Sequence, residues 1–232
     1  MPAVAVVIPA YNEASRISET VTAAWTLPGV DTVVVASDGS SDGTVRTARD
    51  AGATVWRTAR NQGKAAAMLA GAEAVRALDQ RGPGDEPRHL LFLDADVGGT
   101  AAGAGPLIEP VAAGVADMTV AVFATRVKLG GHGLVVRLSG AGIERATGWR
   151  PAQPLNGQRC LTRAAFNAAR PLARGFGVET AMSIDLKRRG LRILEVEVDM
   201  AHRATGTDFG SQLHRARQLA DVARALATRA TV

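Results

Sequence analysis

The chain has 232 residues, of which 47% are hydrophobic, and this is enough to form one domain with a sizeable core. Its formal net charge of +5 would help to attract phosphorylated substrates or an anionic membrane surface, but no basic run is interleaved with aromatic residues as in nucleic-acid-binding proteins. Cys160 is the only cysteine, so an intrachain disulfide and a cysteine-based zinc site are excluded. We find neither a signal peptide nor an apolar run of roughly 18 residues, and we expect a cytoplasmic protein without a transmembrane segment. Peripheral membrane contact and a homodimer both stay open.

Short apolar runs alternate with helical segments through the first hundred residues. We predict strands at residues 4–8, 33–36, 54–57 and 90–93. We predict helices at residues 13–27, 44–51 and 63–78, and a loop at 80–87. This alternation indicates an α/β fold in which a mostly parallel central sheet has helices on both faces.

The second half of the chain is less regular. We predict strands at 119–123 and 192–198, a polar turn at 154–159 and a helix at 178–188. Residues 128–142 are glycine-rich and basic, and are interpreted as a loop that runs into a helix. Residues 209–228 form an amphipathic pattern, which we interpret as a helix that docks on the domain rather than one that anchors it to a membrane.

Polar clusters follow three of the predicted strands at the point where each strand ends. They are Asn12-Glu13, Asp38-Gly39 and Asp94-Ala95-Asp96. Ligands of parallel α/β sheets bind just outside the carboxyl ends of the strands, so we expect these clusters to converge in space. Two carboxylates at one strand end suit Mg²⁺ or Mn²⁺, although an isolated Asp-x-Asp is as often a capped polar turn.

Asp38 and Asp42 lie in the turn-rich segment that follows the second strand. A carboxylate at Asp38 can accept hydrogen bonds from a base N–H or a ribose hydroxyl. Both aspartates could also serve only to build the turn, and for Asp42 this is the interpretation that we favour.

Four motifs in the first hundred residues resemble those of the family 2-like glycosyltransferases of the GT-A fold, in the same order and spacing. They are Pro-Ala-Tyr-Asn-Glu at 9–13, Ser-Asp-Gly-Ser-Ser-Asp-Gly-Thr at 37–44, Asn-Gln-Gly-Lys at 61–64 and Asp-Ala-Asp at 94–96. The resemblance implies a single GT-A domain over residues 1–232, with a nucleotide-sugar-binding half at 1–100 and an acceptor-binding half at 101–232 that ends in the amphipathic helix. It also implies a set of nucleotide-sugar-binding residues: Pro9, Ala10, Tyr11, Glu13, Asp38, Gly63, Lys64, Asp94 and Ala95.

The second half is similar to glucosyl-3-phosphoglycerate synthase and related retaining enzymes. The matching segments are Pro-Leu-Asn-Gly-Gln-Arg at 154–159, Gly-Phe-Gly-Val-Glu at 175–179 and Met-Ala-His-Arg at 200–203. Carried over, Asn156, Gly157 and Arg159 bind the acceptor, and Glu179 contacts the sugar. The relatives commonly have Ser-Gly-Glu where this chain has Asn-Gly-Gln at 156–158.

The same resemblance implies that Asp96 and His202 ligate Mg²⁺ or Mn²⁺, and that Asp96 and Glu179 are the catalytic residues. Each residue also has an ordinary structural interpretation. Lys64 could be a solvated helix lysine, Glu179 a carboxylate that favours a helix N-terminus, and His202 a hydrogen-bonded histidine. Arg159 could be a surface charge, or could bind diphosphate or an acidic acceptor through paired hydrogen bonds.

We therefore expect a metal-dependent glycosyltransferase that takes a hexose from a nucleotide diphosphate sugar. A UDP-sugar is favoured and a GDP-sugar is the second choice; the acceptor is a small phosphorylated acid or, alternatively, a polyprenyl phosphate or cell-envelope acceptor at a membrane surface. A non-catalytic nucleotide-sugar-binding protein is a further alternative. A sugar-phosphate nucleotidyltransferase is disfavoured, because residues 9–13 read Pro-Ala-Tyr-Asn-Glu where that class has a glycine-rich phosphate loop. For an inverting reaction Glu179 is the candidate base, whereas a retaining reaction could proceed without one.

Overall fold

The structure is a computed structural model that describes residues 3–81, 86–123, 133–201 and 209–230, with only the backbone described for 209–215. Seven strands are present in the described part of the chain: β1 (Val4–Ala10), β2 (Val30–Asp38), β3 (Thr54–Thr58), β4 (His89–Phe92), β5 (Met118–Phe123), β6 (Arg159–Leu161) and β7 (Ile193–Val198). The α-helices are α1 (Ile17–Ala24), α2 (Thr44–Asp50), α3 (Lys64–Asp79), α4 (Glu109–Ala112), α5 (Gly133–Thr147), α6 (Arg163–Ala168), α7 (Val178–Arg188) and α8 (Phe209–Ala227). Two 3₁₀ helices are found at Gly98–Leu107 and Gly175–Gly177.

The strands form one sheet in the order β3-β2-β1-β4-β6-β5-β7. β1 pairs in parallel with β2 and β4, β2 with β3, and β5 with β7, whereas β6 is antiparallel to both of its neighbours. The mostly parallel sheet that the sequence predicts is therefore confirmed. Because six strands point the same way, their carboxyl ends lie at one edge.

Both faces of the sheet are buried, as the apolar sequence of β1 requires. Successive side chains of a strand point to opposite faces. Val4, Val6 and Ile8 accordingly join the core under α1, while Ala5 and Val7 join the core under α3. A strand that is buried on both sides reads as a continuous apolar run, and this is why β1 could be predicted from its sequence.

The predicted helices at 44–51, 63–78, 178–188 and 209–228 agree with α2, α3, α7 and α8 to within a residue at either end. The first predicted helix, 13–27, is shorter in the structure, since α1 covers Ile17–Ala24. Of the segment 128–142, which we interpret as a loop that runs into a helix, residues 128–132 lie outside the described residues and residues 133–142 belong to α5. The prediction of a turn through residue 159 is wrong at its end, because Arg159–Leu161 forms β6.

α8 packs on the body of the domain, as the amphipathic pattern predicts. Val222 and Ala225 on this helix are buried. The helix contacts α5, α7 and the short helix at Gly175–Gly177. Among the described residues, no helix combines the length and apolar character that crossing a membrane requires.

Candidate active site

The loops that follow β1 and β2 are joined to each other by hydrogen bonds. The backbone N–H of Asn12 donates to Ser40 Oγ at 3.1 Å, and that of Glu13 donates to Thr44 Oγ1 at 2.8 Å. In return the backbone N–H of Ser41 donates to Asn12 Oδ1 at 2.9 Å. Two sequence motifs that lie about thirty residues apart thus form one rigid rim at the carboxyl edge of the sheet.

Asp38 ends β2 and is held by the N-terminus of α3. Its Oδ2 accepts the backbone N–H groups of Gln62 at 2.8 Å and Gly63 at 2.7 Å, and its Oδ1 accepts the hydroxyl of Thr58 at 3.0 Å. Carboxylates are favoured beside the unpaired N–H groups of a helix start. Asp38 is 3% exposed and lines the cleft described below, so its position combines a structural anchor with access to a ligand.

Lys64 is the first residue of α3, and it bridges two carboxylates from distant parts of the chain. Its Nζ lies 2.6 Å from Asp94 Oδ1 and 2.7 Å from Glu179 Oε1. Burial lowers the pKa of Lys64, but the charges of Asp94 and Glu179 raise it by more, so its pKa lies above the ordinary value. The lysine is therefore positively charged between two anions, with 21% of its side chain exposed to the cleft.

The Asp94-Ala95-Asp96 segment is fixed from two sides. Gln158 holds Asp94, because its Nε2 donates to Asp94 Oδ2 at 2.8 Å and its Oε1 accepts the Asp94 backbone N–H at 2.7 Å. The hydroxyl of Thr20 on α1 donates to the carbonyl of Ala95 at 2.9 Å. Among the described residues, no hydrogen bond or ion pair involves the carboxylate of Asp96, which lines the same cleft.

Arg159 at the start of β6 is 1% exposed, and its guanidinium lies behind the residues that line the site. It donates to the carbonyls of Asn156 at 2.8 Å, Pro154 at 3.1 Å and Glu179 at 3.1 Å, and to Ser183 Oγ at 3.0 Å. Burial lowers its pKa, while the charges of nearby carboxylates oppose that shift. Arg159 thereby ties the 154–156 loop to the first turn of α7.

These residues surround a single cleft of about 1010 Å³. Its wall is formed by the β1 and β2 loops, the start of α3, the Asp94–Asp96 segment, the first turn of α7, and further residues of the second half, including two from α8. The lining includes Pro9, Ala10, Tyr11, Glu13, Asp38, Asn61, Gly63, Lys64, Asp94, Ala95, Asp96, Val122, Phe123, Val136, Gln153, Leu155, Asn156, Phe176, Glu179, Glu197, Arg217 and Gln218.

Comparison with known proteins decides the family. The profile of Glycosyl transferase family 2 matches residues 5–153. The chain belongs to this family. Glycosyltransferase AglJ of Haloferax volcanii is 30% identical over 213 residues, which make up 89% of this chain and 65% of the relative, so the chain spans less than two thirds of that protein.

The family 2 glycosyltransferase chain is also similar to crystal structures of glucosyl-3-phosphoglycerate synthase from Mycobacterium tuberculosis. The complex with Mn²⁺, UDP and glucosyl-3-phosphoglycerate matches with a TM-score of 0.76 and 25% identity, over 98% of this chain and 80% of that one. The complex with Mn²⁺, UDP-glucose and phosphoglyceric acid matches with a TM-score of 0.75 and 27% identity, over 98% and 79%. These likenesses confirm the GT-A fold and the family resemblance.

The family 2 motifs meet in the cleft as the sequence predicts. All nine predicted nucleotide-sugar-binding residues line it, together with Asp96, Asn156 and Glu179. Gly157 does not line the cleft but lies directly behind it, since a Cβ there would come within 2.5 Å of Lys64 Nζ. His202 lies outside the described residues.

Arg159 requires a correction. The prediction that it contacts the acceptor does not fit a guanidinium that is buried and donates to four protein oxygens. The interpretation of Asp42 as a turn residue is supported, because its Oδ2 accepts the Ala14 N–H at 3.2 Å and its Oδ1 accepts the Thr44 N–H at 2.9 Å. Asp38 differs from Asp42 in that it also reaches the cleft.

Four residues of this family 2 site are absent from the sequence-based prediction. Gln158 and Thr20 position the Asp-Ala-Asp segment, and Arg217 and Gln218 line the cleft. Gln158 and Thr20 each bond to a residue at least 64 positions away along the chain, so no local sequence pattern identifies these two residues. Arg217 and Gln218 are polar residues within an amphipathic helix, and the sequence pattern of such a helix does not separate residues that line a cleft from residues that face solvent.

The residues present fit a divalent cation in part. Asp96 offers carboxylate oxygens that have no partner among the described residues, and Mg²⁺ and Mn²⁺ prefer such oxygens together with phosphates. Within the described ranges no group of three or more histidine, cysteine or acidic side chains is arranged to hold a metal. The remaining ligands would therefore come from the donor diphosphate, from water and from residues such as His202.

Proposed function

We propose that the chain transfers a hexose from a nucleotide diphosphate sugar, with a UDP-sugar favoured over a GDP-sugar, and that transfer depends on Mg²⁺ or Mn²⁺. The observation that carries this proposal is that Lys64, Asp94, Asp96 and Glu179 line one cleft at the carboxyl edge of the sheet. The Mn²⁺ and UDP-glucose in the similar synthase structure support the choice of donor and metal.

In this proposal the first hundred residues bind the nucleotide. Pro9, Ala10, Tyr11 and Glu13 flank the nucleoside, with the half-exposed ring of Tyr11 available for contact with the base. Asp38 accepts a hydrogen bond from the base. The start of α3 at Gly63 and Lys64 faces the diphosphate, because a helix N-terminus and a lysine both attract anions.

Asp96 is the residue that would hold the metal ion, and His202 remains a predicted ligand. When bound, the ion neutralises charge on the leaving diphosphate. Asp94 lies near the ribose or the sugar, and Lys64 exchanges part of its contact with Asp94 and Glu179 for the phosphates.

Glu179 stabilises positive charge that develops on the sugar during transfer. Glu179 is 5% exposed, and its carboxylate pairs with Lys64. An ion-paired carboxylate is a poor general base until the lysine moves away. This arrangement favours a retaining reaction, with Glu179 acting through its charge, over an inverting one.

The acceptor end of the cleft is formed by residues of the second half, including Asn156. The phosphoglyceric acid in a similar synthase structure supports a small phosphorylated acid as acceptor. A polyprenyl phosphate is a second candidate, because several apolar side chains of the second half line the cleft: Val122, Phe123, Val136, Leu155 and Phe176. A cytoplasmic location and a homodimer stay predictions.

The test is transfer and donor hydrolysis with UDP-hexoses and GDP-hexoses in the presence of Mg²⁺ or Mn²⁺. We expect Asp96→Asn to lose metal-stimulated turnover, while Asp50→Asn, which removes an exposed carboxylate outside the cleft, leaves it unchanged. Undiminished turnover in Asp96→Asn would refute the metal assignment. Donor binding without hydrolysis or transfer to any acceptor would instead favour a nucleotide-sugar-binding protein.

A further inference from the structure

Arg159, the first residue of β6, is a buried cation whose hydrogen bonds all go to neutral oxygens. Among the described residues no ion pair involves its guanidinium, which donates to three carbonyl groups and one hydroxyl. Burial lowers its pKa to about 10, so the side chain is still protonated at neutral pH. Hydrogen bonds to neutral oxygens compensate part of the cost of burying a cation, and a neutral side chain of similar size would avoid that cost altogether. The presence of an arginine here therefore calls for a use of its charge and its donor groups.

The carbonyl groups that Arg159 binds belong to residues that line the cleft. Its Nε donates to the carbonyl of Asn156 at 2.8 Å, and its two Nη atoms donate to those of Pro154 and Glu179 at 3.1 Å. All three residues are part of the lining, whereas Arg159 itself is not. One buried side chain thus connects two separate segments of the cleft wall.

The residue before Arg159 holds the second carboxylate that pairs with Lys64. Gln158 binds both the carboxylate and the backbone N–H of Asp94, at 2.8 Å and 2.7 Å. The two ion-pair partners of Lys64 are Asp94 and Glu179. Consecutive residues at the start of β6 therefore fix both partners, Asp94 through Gln158 and the main chain of Glu179 through Arg159.

The attachment of Glu179 to Arg159 does not depend on Lys64. Ser183 Oγ accepts a hydrogen bond from Arg159 at 3.0 Å and donates one to the Glu179 carbonyl at 2.9 Å, beside the direct bond from Arg159. In the proposed function Lys64 turns partly towards the donor phosphates, and the two carboxylates that it leaves repel each other. The buried charge of Arg159 attracts both of them and stays in place.

We propose that Arg159 is a positioning residue for sugar transfer, which fixes the first turn of α7 against the 154–156 loop so that Glu179 keeps its place when Lys64 binds the diphosphate. The inference rests on the proposed function and adds to it a residue that acts through Glu179 without touching a ligand. The four hydrogen bonds of Arg159 reach neither residues 9–13 nor Asp38. Its loss should therefore affect turnover more than nucleotide binding.

The experiment measures kcat and nucleotide binding separately in Arg159→Met and Arg159→Lys. Turnover is followed with UDP-glucose or GDP-glucose, whichever the wild type uses, in the presence of Mn²⁺; the Kd of UDP or GDP is measured by calorimetry. Arg163→Met is the matched control. Arg163 is also largely buried, but it binds the Ala72 carbonyl at 3.1 Å and Asp79 at 3.0 Å, and both of these α3 residues lie outside the cleft lining.

We expect Arg159→Met to lower kcat about tenfold or more while the Kd of the nucleotide changes by less than about twofold, because a displaced Glu179 no longer stabilises charge on the sugar. Arg159→Lys should recover part of kcat, since an ammonium group keeps the charge and some of the donated hydrogen bonds. Arg163→Met should unfold at a lower urea concentration and keep the wild-type kcat per folded molecule.

A wild-type kcat in Arg159→Met, or an equal loss of kcat and of nucleotide binding, overturns the inference. Where Arg159→Met does not fold, Ser183→Ala decides, because it removes the hydroxyl that joins Arg159 to the Glu179 carbonyl. Its kcat should fall severalfold with nucleotide binding unchanged, and an unchanged kcat overturns the inference. A wild type that turns over neither donor in the presence of metal overturns the proposed function, and the inference with it.

Discussion

The side-chain amide of Gln158 holds Asp94 by two hydrogen bonds, one to the backbone and one to the carboxylate. Gln158 Oε1 accepts the Asp94 N–H at 2.7 Å, and Gln158 Nε2 donates to Asp94 Oδ2 at 2.8 Å. A side-chain amide accepts and donates in this way without carrying charge at any pH used for the assay. Gln158 is fully buried, so it cannot exchange these partners for water.

Replacing Gln158 by glutamate should impair the donor site. A glutamate cannot donate to Asp94 unless it is protonated, and contact between two carboxylates, here one at the fully buried position 158, raises the pKa of one of them. We expect kcat/KM for the sugar donor to fall about tenfold or more at pH 8, which corresponds to about 1.4 kcal/mol, and to recover partly towards pH 5 as a shared proton restores the hydrogen bond.

The measurement is the pH profile of kcat/KM for donor turnover. Gln80→Glu, which adds the same charge at an exposed position after α3, serves as the control and should follow the wild type. A Gln158→Glu profile parallel to that of the wild type would show that the amide does not position Asp94.

Gly157 should not tolerate a methyl group. A Cβ at this position would lie 2.5 Å from Lys64 Nζ and 2.8 Å from both Asp94 carboxylate oxygens. Gly157→Ala must therefore separate Lys64 from Asp94 or move the loop that carries Asn156. We expect a severalfold or greater loss of donor turnover, measured alongside Gly99→Ala, where the space for a Cβ is open. Equal activity in the two variants would mean that the close Lys64–Asp94 pair is dispensable.

The first half of the fold could be predicted from the sequence, because its strands and helices follow local patterns of apolar residues. The apolar runs of β1, β2 and β4 and the spacing of α2 and α3 follow from burial on both faces of the sheet. Residues at the ends of these strands converge because parallel strands end at one edge. The aspartates at 38, 94 and 96 could therefore be placed together before any coordinates were available.

The second half could not be predicted in the same way. β6 has three residues, begins with arginine and exists because β4 and β5 lie on either side of it. Arg159 is expected on the surface from its charge alone, but four oxygens of the fold compensate its burial. Such compensation depends on tertiary contacts, which periodicity and propensity do not encode.

Thr20 should stabilise the loop that follows β4. Its hydroxyl donates to the Ala95 carbonyl at 2.9 Å and accepts the Gly98 N–H at 2.9 Å. Thr20→Val keeps the shape but leaves both backbone groups buried without partners, so we expect the free energy of unfolding to fall by about 1–3 kcal/mol. Turnover should fall as well, because Asp96 lies within this loop.

The measurement for Thr20→Val is urea unfolding together with the KM for the metal ion. Thr26→Val is the control, since Thr26 is exposed just after α1 and its hydroxyl donates to the Ala23 carbonyl in the last turn of that helix. Loss of stability with an unchanged KM for metal would assign Thr20 to the fold alone. Equal stability of the two variants would contradict the anchoring role.

His89 should make the fold less stable as the solution becomes acidic. Burial lowers its pKa below the ordinary value of 6.5; the charge of Glu86 opposes this and that of Arg163 adds to it. Its Nδ1 is buried without a partner among the described residues. Above pH 7.5 the histidine is neutral in both the folded and the unfolded chain, and it contributes no pH dependence. Below about pH 6.5 the unfolded chain binds a proton that the folded chain resists, so the free energy of unfolding falls by at most about 1.4 kcal/mol per pH unit.

The variant His89→Leu removes this contribution, and urea unfolding measures the effect. The difference in the free energy of unfolding between wild type and variant should be constant above pH 7.5. It should shift in favour of the variant towards pH 5. Two curves that stay parallel from pH 8 to pH 5 would show that His89 is protonated as easily in the fold as in the unfolded chain.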